Sequence, residues 1–575
     1  MGNYAILVCL IFFGTLYSKA TVTHVLDEYG IKNNPSAIGD IPKLVKNKNG
    51  VSQLILNGEP FVMLAGELMN SSASTIENMA PKWERLKKLN LNTVILTATW
   101  EQIEPEEGEY DFTVIGGLIE AARKHELKLV FLWFGSWKNG SSGYAPHWIM
   151  RDTKRFPRMQ NKNGENRPYL SNFTQALLDV ETKAFCALMN YIREIDGERH
   201  TVLMVQIENE MGLLGDSRDR SKRAEELFNQ PVPEDLIQYI NKNEKIILPE
   251  IIEQWKANGK KSKGNWLEVF GNESGNLADE IFMGWYYARH VERLAAAGKK
   301  IYPIPVFVNA WTIYPEDPVP GHYPSGGPNH RMLDIYQFAA PSIDILAVDN
   351  YNDDYITQLK QYARNGNPIF VPEAVALFRG EKWSGPAQAF YTVSEFNALG
   401  FAPFGIDNDV YSETHPLRDA YRVLDNLMPL IIKEHGTGKM KGFMQQKDNR
   451  RDSVDFGDYV MHARYAYPYQ GYGLVIRLSA DEFLVSGNGV NISFQSMNKS
   501  LPGISYGTIR EGYYIDGKWK TMKYANGDEA MQGVGGVKMP PVYLGEDANQ
   551  NTVSTVIIKL IPVETSTYVN RNIFD

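Results

Sequence analysis

The stretch "TVLMVQIENEMG" (201–212) begins as an apolar strand and ends in two carboxylates and an amide. Its first half is apolar or β-branched, whereas Glu208, Asn209 and Glu210 close it. A continuous apolar run of this length is typical of a strand buried on both faces of a parallel sheet. Because charged side chains are seldom buried without a partner, the ending indicates that this strand leads into a site that uses carboxylates.

The same signal recurs between about residues 50 and 430. Amphipathic, helix-like segments such as 114–126 separate the runs, and strand–helix units that repeat eight times predict a (β/α)₈ TIM barrel, which we assign to 35–430. The seven other runs are "FVMLAGEL" (61–68), "TVILTATW" (93–100), "LKLVFLWFG" (127–135), "IPVFVNAW" (304–311), "IDILAVDNY" (343–351), "PIFVPEAV" (368–375) and "FAPFGIDND" (401–409).

Two regions depart from this repeat. Residues 211–275 are highly charged and form an insertion after the fourth strand, either a surface excursion or a lid over a cleft. After about residue 430, apolar and polar residues alternate with Gly and Asn between them, and "REGYYIDGKWKTMKY" (510–524) predicts a hairpin around Asp516-Gly517. We therefore predict a second, all-β sandwich domain at 431–575.

The N-terminus predicts export. An apolar run from Tyr4 to Leu16 has the length of a signal-peptide core, and the small residues Ser18 and Ala20 suggest cleavage after residue 20, a retained anchor being the alternative. We expect the mature protein in the periplasm or outside the cell. Cleavage would leave Cys186 as the one cysteine, so no internal disulfide is expected.

Charge and composition exclude other classes of partner. The formal net charge is −9, whereas nucleic-acid phosphates need a basic face. No glycine-rich phosphate loop is present. No later stretch is long and apolar enough for a membrane span. The oligomeric state is left open.

Polar side chains close every predicted strand, and in a (β/α)₈ barrel these ends meet at one mouth. Neither Cys nor His is among them, so a zinc site or a Ser-His triad has no support, and we expect no metal or cofactor. Indoles at three ends suit the apolar face of a sugar ring better than they suit Ca²⁺ or Mg²⁺. The ends are Gly66-Glu67, Trp100-Glu101, Gly135-Ser136-Trp137, Asn209-Glu210, Asn309-Ala310-Trp311, Asp349-Asn350-Tyr351, Glu373 and Asp407-Asn408-Asp409.

Two of these carboxylates stand on strands that face each other. Glu210 ends strand four and Glu373 ends strand seven, which permits a separation of roughly 5 Å, the geometry of retaining glycosidases. One carboxyl would protonate the leaving oxygen while the other attacks the anomeric carbon. Glu208 points to the opposite face of its strand, so we expect a structural role for it.

Several motifs resemble a known family. "QIENE" (206–210) resembles the acid/base motif of glycoside hydrolase family 35, the β-galactosidases. The resemblance extends over roughly residues 35 to 570 and is greatest to a bacterial branch with a β-rich tail. The other matching stretches are "GELMNSSAS" (66–74), "WEQIEPEEGEYDF" (100–112), "WFGSWKNGSSGYAPHW" (133–148), "NPIFVPEA" (367–374) and "GFAPFGIDND" (400–409).

The resemblance implies a retaining, exo-acting β-galactosidase. Glu210 would be the acid/base and Glu373 the nucleophile, and terminal β-galactose would be removed from glycans such as plant cell-wall galactosides, including xyloglucan side chains. Trp311 and Tyr351 join the pocket by strand position, and Tyr351 would keep the nucleophile ionised. The galactose-lining residues implied by matching motifs are Glu67, Trp137, Lys138, Asn139 and Asn209.

The motifs also differ from the eukaryotic-type members. Those usually show Ile-His, His-Glu-Pro and Ala-Glu-Trp after the first three strands, where this chain has Glu67-Leu68, Ile103-Glu104-Pro105 and Ser136-Trp137-Lys138. The pocket is therefore built from different groups around the same two glutamates. Two alternatives stay open: a retaining glycosidase of the same clan with another sugar specificity, and a carbohydrate-binding protein without catalysis.

Overall fold

The structure is a computed structural model that describes residues 19–32, 40–272, 276–375, 385–408, 416–446, 449–465, 470–515, 517–527, 530, 536–539 and 553–564. The predicted signal peptide lies outside these residues, apart from its last two positions. Asp409 and Asp516 lie outside them as well. No helix among the described residues is long and apolar enough to cross a bilayer.

Eight parallel strands form the centre of the chain. Their hydrogen-bonded order is β6-β5-β4-β3-β2-β1-β8-β7, and a bridge between Asn350 and Ala374 joins β6 to the segment after β7. The predicted (β/α)₈ barrel is therefore confirmed, and a strand overlaps each of the eight predicted runs. The strands are β1 (Met63–Glu67), β2 (Thr93–Thr99), β3 (Lys128–Lys138), β4 (Val202–Asn209), β5 (Val306–Trp311), β6 (Ile345–Asp349), β7 (Phe370–Val371) and β8 (Gly400–Phe401).

Side chains of each strand divide between two apolar layers. On β3, Val130, Leu132 and Phe134 belong to the cluster inside the barrel, whereas Leu129 and Trp133 join the larger cluster beneath the helices. Burial on both faces explains why the strands read as continuous apolar runs rather than alternating ones.

Helices surround the barrel, and four of them, α8 to α11, lie in the insertion after β4. The insertion is tied to the barrel, because the Leu248 N–H donates to Asp334 Oδ2 at 2.8 Å. The helices are α1 (Lys19–Glu28), α2 (Ile76–Met79), α3 (Trp83–Lys88), α4 (Trp100–Ile103), α5 (Thr113–Lys124), α6 (His147–Arg151), α7 (Gln175–Asp196), α8 (Lys222–Phe228), α9 (Glu234–Lys242), α10 (Pro249–Ala257), α11 (Trp266–Phe270), α12 (Leu277–Ile301), α13 (Leu333–Ala339), α14 (Tyr355–Tyr362), α15 (Gly385–Glu395) and α16 (Pro416–Glu434).

Two antiparallel sheets follow α16. A six-stranded sheet has the order β9-β12-β13-β18-β15-β16, and a four-stranded sheet has the order β10-β11-β14-β17. They share a core that includes Phe483 from the first sheet and Ile492 from the second, as expected for a sandwich. The strands are β9 (Met440–Met444), β10 (Arg451–Asp455), β11 (Tyr459–Arg464), β12 (Tyr472–Arg477), β13 (Glu482–Asn488), β14 (Val490–Ser496), β15 (Gly503–Ile515), β16 (Lys518–Tyr524), β17 (Val537–Met539) and β18 (Ser554–Val563).

The outer face of the six-stranded sheet packs on the barrel. Leu474 and Leu484 belong to the same apolar cluster as Tyr421 of α16, and the rings of Phe390 and Tyr472 lie 5.2 Å apart. Three short strands, Lys43–Lys46, Ser52–Leu56 and Glu59–Phe61, form a separate sheet before β1, and Arg158–Gln160 pairs with Asn166–Leu170 after α6.

Candidate active site

Three carboxylates converge at the C-terminal mouth of the barrel. Glu210 follows β4, Asp349 ends β6 and Glu373 follows β7, and each places an oxygen within 4.8 Å of the other two. All three are buried, with at most 5% of the residue exposed. The structure therefore brings Glu210 and Glu373 together as the sequence predicted, and adds Asp349, to which sequence reasoning gave no role.

Asn309, on β5, connects the three. Its Nδ2 group donates to Asp349 Oδ2 at 2.8 Å and lies 3.4 Å from Glu373 Oε1, while its Oδ1 accepts from the Glu210 N–H at 2.9 Å. A single amide thus fixes the backbone of one glutamate and contacts the side chains of two carboxylates. Asn309 was among the predicted strand-end residues, but contacts across the mouth cannot be read from spacing along the chain.

Tyr351 and Trp311 complete this side of the mouth. The Tyr351 hydroxyl donates to Glu373 Oε2 at 2.9 Å, as predicted for a group that favours the ionised nucleophile. The half-buried Trp311 ends β5 and its side chain interacts with Glu210. Both are therefore placed against the two glutamates.

Glu67 and Lys138 lie on the opposite side. Glu67 is completely buried, and neither of its carboxyl oxygens has a hydrogen-bond partner among the described residues. Lys138 ends β3 with its ammonium 4.9 Å from the Phe134 ring centroid, and its positive charge acts on Glu67, Glu210 and Glu373. A buried carboxylate without a partner is costly, so Glu67 is suited to accept hydrogen bonds from a ligand.

Asn139 and Asn209 join the ends of β3 and β4. Asn209 Nδ2 donates to Asn139 Oδ1 at 2.9 Å, and the Asn139 N–H donates to the Asn209 carbonyl at 3.1 Å. Asn209 Oδ1 in turn accepts from Gln206 Nε2 at 3.0 Å. Both amides are therefore held firmly beside the carboxylates.

The carboxyl groups titrate differently. Burial, and then the negative charge of Glu373, raise the pKa of Glu210 to about 8, against the opposing charge of Lys138. This agrees with the predicted acid. Burial also raises the pKa of Glu373, but Lys138 and the Tyr351 hydroxyl both favour its charged form. Sequence reasoning did not anticipate that upward shift.

The other two carboxyls favour their protonated forms more strongly. Burial and then the charge of Glu373 raise the pKa of Asp349 well above its usual range, and the same two causes act on Glu67. One lysine cannot neutralise four buried carboxylates, so protons must be held among them. An interaction between Asp349 and Glu210 lowers the pKa of Glu210, which fits a protonated Asp349 that donates to it.

The prediction that Trp137 lines the sugar pocket is wrong. Its indole lies on the helix side of β3, where it packs edge-on against Tyr287 and His290 of α12, with centroid distances of 5.4 and 4.8 Å. Its N–H donates to the Leu170 carbonyl at 3.2 Å, and 1% of the residue is exposed. Val130, Leu132 and Phe134 face the barrel interior, so the alternation along β3 places position 137 on the helix side and Lys138 at the mouth.

The backbone at the end of β4 is strained. Glu208 and Glu210 have φ angles of 60° and 45°, in the left-handed region that non-glycine residues seldom adopt. Such strain is common where a side chain must be aimed at a reaction. The three carboxylates would also suit a hard cation, but the charge of Lys138 beside them opposes one.

One family model matches the barrel. Residues 72–247, which carry β2 to β4 and Glu210, match the Glyco_hydro_42 model, described as "Beta-galactosidase". Together with paired carboxylates at the mouth of a (β/α)₈ barrel, this match decides the class of enzyme. The protein is a glycoside hydrolase. The match is to a β-galactosidase family and lends no specific support to family 35.

A second model covers part of the sandwich. Residues 417–535 match DUF5597, described as a domain of unknown function. No curated protein matches this glycoside hydrolase. A carbohydrate is its substrate, as for other enzymes of the class.

Solved structures resemble the chain weakly. The catalytic domain of a beta-amylase from Paenibacillus polymyxa has 13% identity and a TM-score of 0.43, over 60% of this chain and 92% of that one. A beta-galactosidase from Bacillus circulans sp. alkalophilus has 12% identity and a TM-score of 0.43, over 64% and 57%. A beta-galactosidase from Halorubrum lacusprofundi has 14% identity and a TM-score of 0.44, over 63% of this chain and 58% of that one. The chain thus spans less than two thirds of these galactosidases, and likeness at this level says nothing about specificity.

Proposed function

We propose that the glycoside hydrolase is a retaining, exo-acting β-galactosidase, with Glu210 as acid/base and Glu373 as nucleophile. The observation that carries the proposal is the approach of their carboxyl oxygens within 4.8 Å. Their environments differ, because the Tyr351 hydroxyl favours the ionised form of Glu373, whereas the charge of Glu373 raises the pKa of Glu210. Retaining glycosidases hold their carboxyls at roughly 5 Å, whereas inverting enzymes leave room for a water between them.

The first step forms a covalent intermediate. Glu373 Oε attacks the anomeric carbon and forms a glycosyl ester, while the bond to the leaving oxygen breaks and that oxygen takes the proton of Glu210. With a pKa of about 8, Glu210 still carries this proton at neutral pH. The hydrogen bond from the Tyr351 hydroxyl helps Glu373 to be the carboxyl that loses its proton first.

The second step reverses these roles. Glu210, now ionised, takes a proton from water, and the resulting hydroxide attacks the anomeric carbon and releases Glu373. Asp349 remains protonated beside Glu210 and stabilises the ionised form by a hydrogen bond. Two displacements at one carbon leave the sugar in its original β-configuration.

Recognition of the sugar is assigned to the polar groups around the carboxylates. The two unpartnered oxygens of Glu67 would each form a hydrogen bond with a sugar hydroxyl. Lys138, Asn139 and Asn209 would bind the remaining hydroxyls, and Trp311 offers an indole for the apolar face of the ring. The residues that would form the pocket are thus those implied by the resemblance to family 35, without Trp137, together with Trp311 from its strand position.

The natural substrate is proposed from the same resemblance. The motifs resemble a bacterial branch of family 35 associated with plant cell-wall galactosides, so terminal galactose on xyloglucan side chains is the first natural substrate to test. The predicted export through an N-terminal signal peptide would suit an enzyme that acts on polymers outside the cell. A binding protein without turnover is disfavoured, since it needs neither a carboxylic acid with a raised pKa nor a nucleophile that is hydrogen-bonded to a tyrosine.

The decisive experiment measures specificity and stereochemistry together. The mature chain, 21–575, is assayed on the 4-nitrophenyl β-D-galactoside, β-D-glucoside, β-D-mannoside and α-L-arabinopyranoside. We expect release from the galactoside above all, with β-galactose as the first product seen by proton NMR. Release mainly from another sugar would overturn the galactose assignment, and α-galactose as first product would overturn the retaining mechanism.

A further inference from the structure

A second cluster of buried ionisable groups lies behind the mouth. Glu181 of α7, Glu208 of β4 and His290 of α12 place their ligand atoms within 4.8 Å of one another. Each of the three residues is at most 2% exposed. The proposed reaction uses none of them, so their burial beside the active strand needs another reason.

Glu208 stands opposite a bulge in β3. The two strands pair Trp133 with Ile207 and next Lys138 with Asn209, so four residues of β3 face Glu208 alone. Two backbone N–H groups of the bulge donate to the Glu208 carboxylate, from Ser136 at 3.0 Å and from Trp137 at 2.7 Å. The side chain thereby replaces the ladder partners that the bulge has lost.

Glu181 and His290 hold the other side of the bulge. Glu181 Oε2 accepts from Ser136 Oγ at 2.5 Å and lies 2.9 Å from His290 Nε2. Glycine is required at 135, because a Cβ there would lie 2.1 Å from Glu181 Oε1 and 2.9 Å from Glu208 Oε1. The two carboxylates therefore converge on one backbone segment that is shaped to receive them.

The bulge ends at groups of the sugar pocket. Lys138 and Asn139 follow it directly, and Asn139 is bonded to Asn209 by both backbone and side chain. On the facing strand, Glu208 itself has the left-handed φ of 60° two residues before Glu210. A shift of Glu208 would therefore move Lys138 and Glu210 relative to each other.

We infer that Glu208, supported by Glu181 and His290, is a positioning residue that clamps the β3 bulge to β4 and so fixes Lys138 against Glu210. The inference rests on the proposed function for the roles of Lys138 and Glu210. The clamp consists of backbone hydrogen bonds, whose loss can be measured without turnover.

The test compares substitutions at Glu208 and Asp196, two buried carboxyl groups that each accept hydrogen bonds from the backbone. Glu208→Gln leaves one acceptor oxygen for two backbone N–H groups. The control, Asp196→Asn, alters a completely buried carboxylate that accepts from the Val202 N–H at 2.7 Å, at the opposite end of β4. Both changes cost stability, but the control lies far from the mouth along the strand. Thermal unfolding then shows how far each variant is destabilised.

Two readouts separate positioning from mere stability. Misplacement by about 1 Å can cost a hundredfold, so we expect kcat/KM of folded Glu208→Gln to fall by about ten- to a hundredfold, and that of the control to stay within about twofold. Because Lys138 lowers the pKa of Glu210, its withdrawal should also move the alkaline limb of the pH profile to higher pH. The control should leave that limb in place.

Hydrogen–deuterium exchange provides the readout that does not need turnover. We expect faster exchange of residues 134–139 in Glu208→Gln and no change there in Asp196→Asn. Equal exchange and equal pH profiles in the two variants would overturn the clamp. If wild type hydrolyses no glycoside, the proposed function fails while the exchange data still decide the clamp. If Glu208→Gln does not fold, Ser136→Ala, which removes only the hydroxyl on Glu181, should show a smaller change of the same sign.

Discussion

Glu67 and Asp334 are both completely buried carboxylates, but their surroundings differ. Asp334, in the helix layer, accepts from Arg364 Nη1 at 2.8 Å, from Asn365 Nδ2 at 2.6 Å and from the Leu248 N–H at 2.8 Å. Glu67, at the mouth, has no partner for either oxygen among the described residues. Burial alone therefore does not mark a functional carboxylate, whereas burial with unused hydrogen-bonding capacity does.

The largest expected effect is that of Glu373→Gln. The amide cannot form the glycosyl ester, so kcat on the 4-nitrophenyl galactoside should fall by about four orders of magnitude or more. Steady-state kinetics measures the loss. In Glu373→Ala, where the missing side chain leaves room beside the anomeric carbon, a small nucleophile such as azide should restore part of the turnover with release of an α-glycosyl azide. As a matched control, Asp334→Asn should lower thermal stability without comparable loss of kcat. Near-wild-type kcat in Glu373→Gln would contradict the assignment of Glu373 as the nucleophile.

Glu210→Gln should affect substrates unequally. General acid catalysis contributes about a hundred- to ten-thousandfold, and this should be lost on galactosides with poor leaving groups. With 4-nitrophenol as leaving group, the first step needs little protonation, so a burst followed by slow turnover is expected. Stopped-flow absorbance measures the burst. Equal losses on both kinds of substrate would contradict the acid/base role.

The pH dependence follows from the same group. In the wild type, the free enzyme needs a protonated Glu210, so kcat/KM should fall as pH rises through about 8. This limb should be missing in Glu210→Gln. The raised pKa also means that ionisation of Glu210 is easier in the unfolded chain, so its contribution destabilises the fold progressively as pH rises from the usual carboxyl range toward 8. Thermal unfolding above that pH should therefore show the Gln variant gaining stability relative to wild type.

The strands and the two glutamates were predictable because their signals are local. An apolar run and its polar end lie within ten residues, so Glu210 and Glu373 followed from strand order in a barrel. The seventh and eighth strands are much shorter than their runs, and Pro372 and Pro403 follow them closely, where a missing N–H limits the ladder. Asp349 and Asn309 were visible as strand ends, but their roles depend on distances across the mouth.

Asp349 offers a finer test of the mouth. If it works as a neutral acid, Asp349→Asn preserves both a donor toward Glu210 and an acceptor for Asn309 Nδ2, and should keep kcat within about tenfold. Asp349→Ala removes both contacts and leaves the Asn309 amide unpaired, so a loss of about ten- to a hundredfold is expected. Comparison of kcat between these two variants is the measurement. An Asn variant as damaged as the Ala variant would mean that the ionised form of Asp349 is needed.

The smallest effect on activity is expected at Trp137, where sequence reasoning failed. Trp137→Phe removes the indole N–H from the Leu170 carbonyl and part of the packing against Tyr287 and His290, so the free energy of unfolding should fall by about 1–3 kcal/mol. KM for the galactoside should stay within about twofold, because the ring lies on the helix side of β3. A tenfold rise in KM at unchanged stability would mean that Trp137 contacts the sugar after all. Lys138 is its neighbour in sequence but lies at the mouth. Lys138→Met should therefore change activity far more than stability. The two substitutions together distinguish the helix-facing side of β3 from the side that faces the sugar pocket.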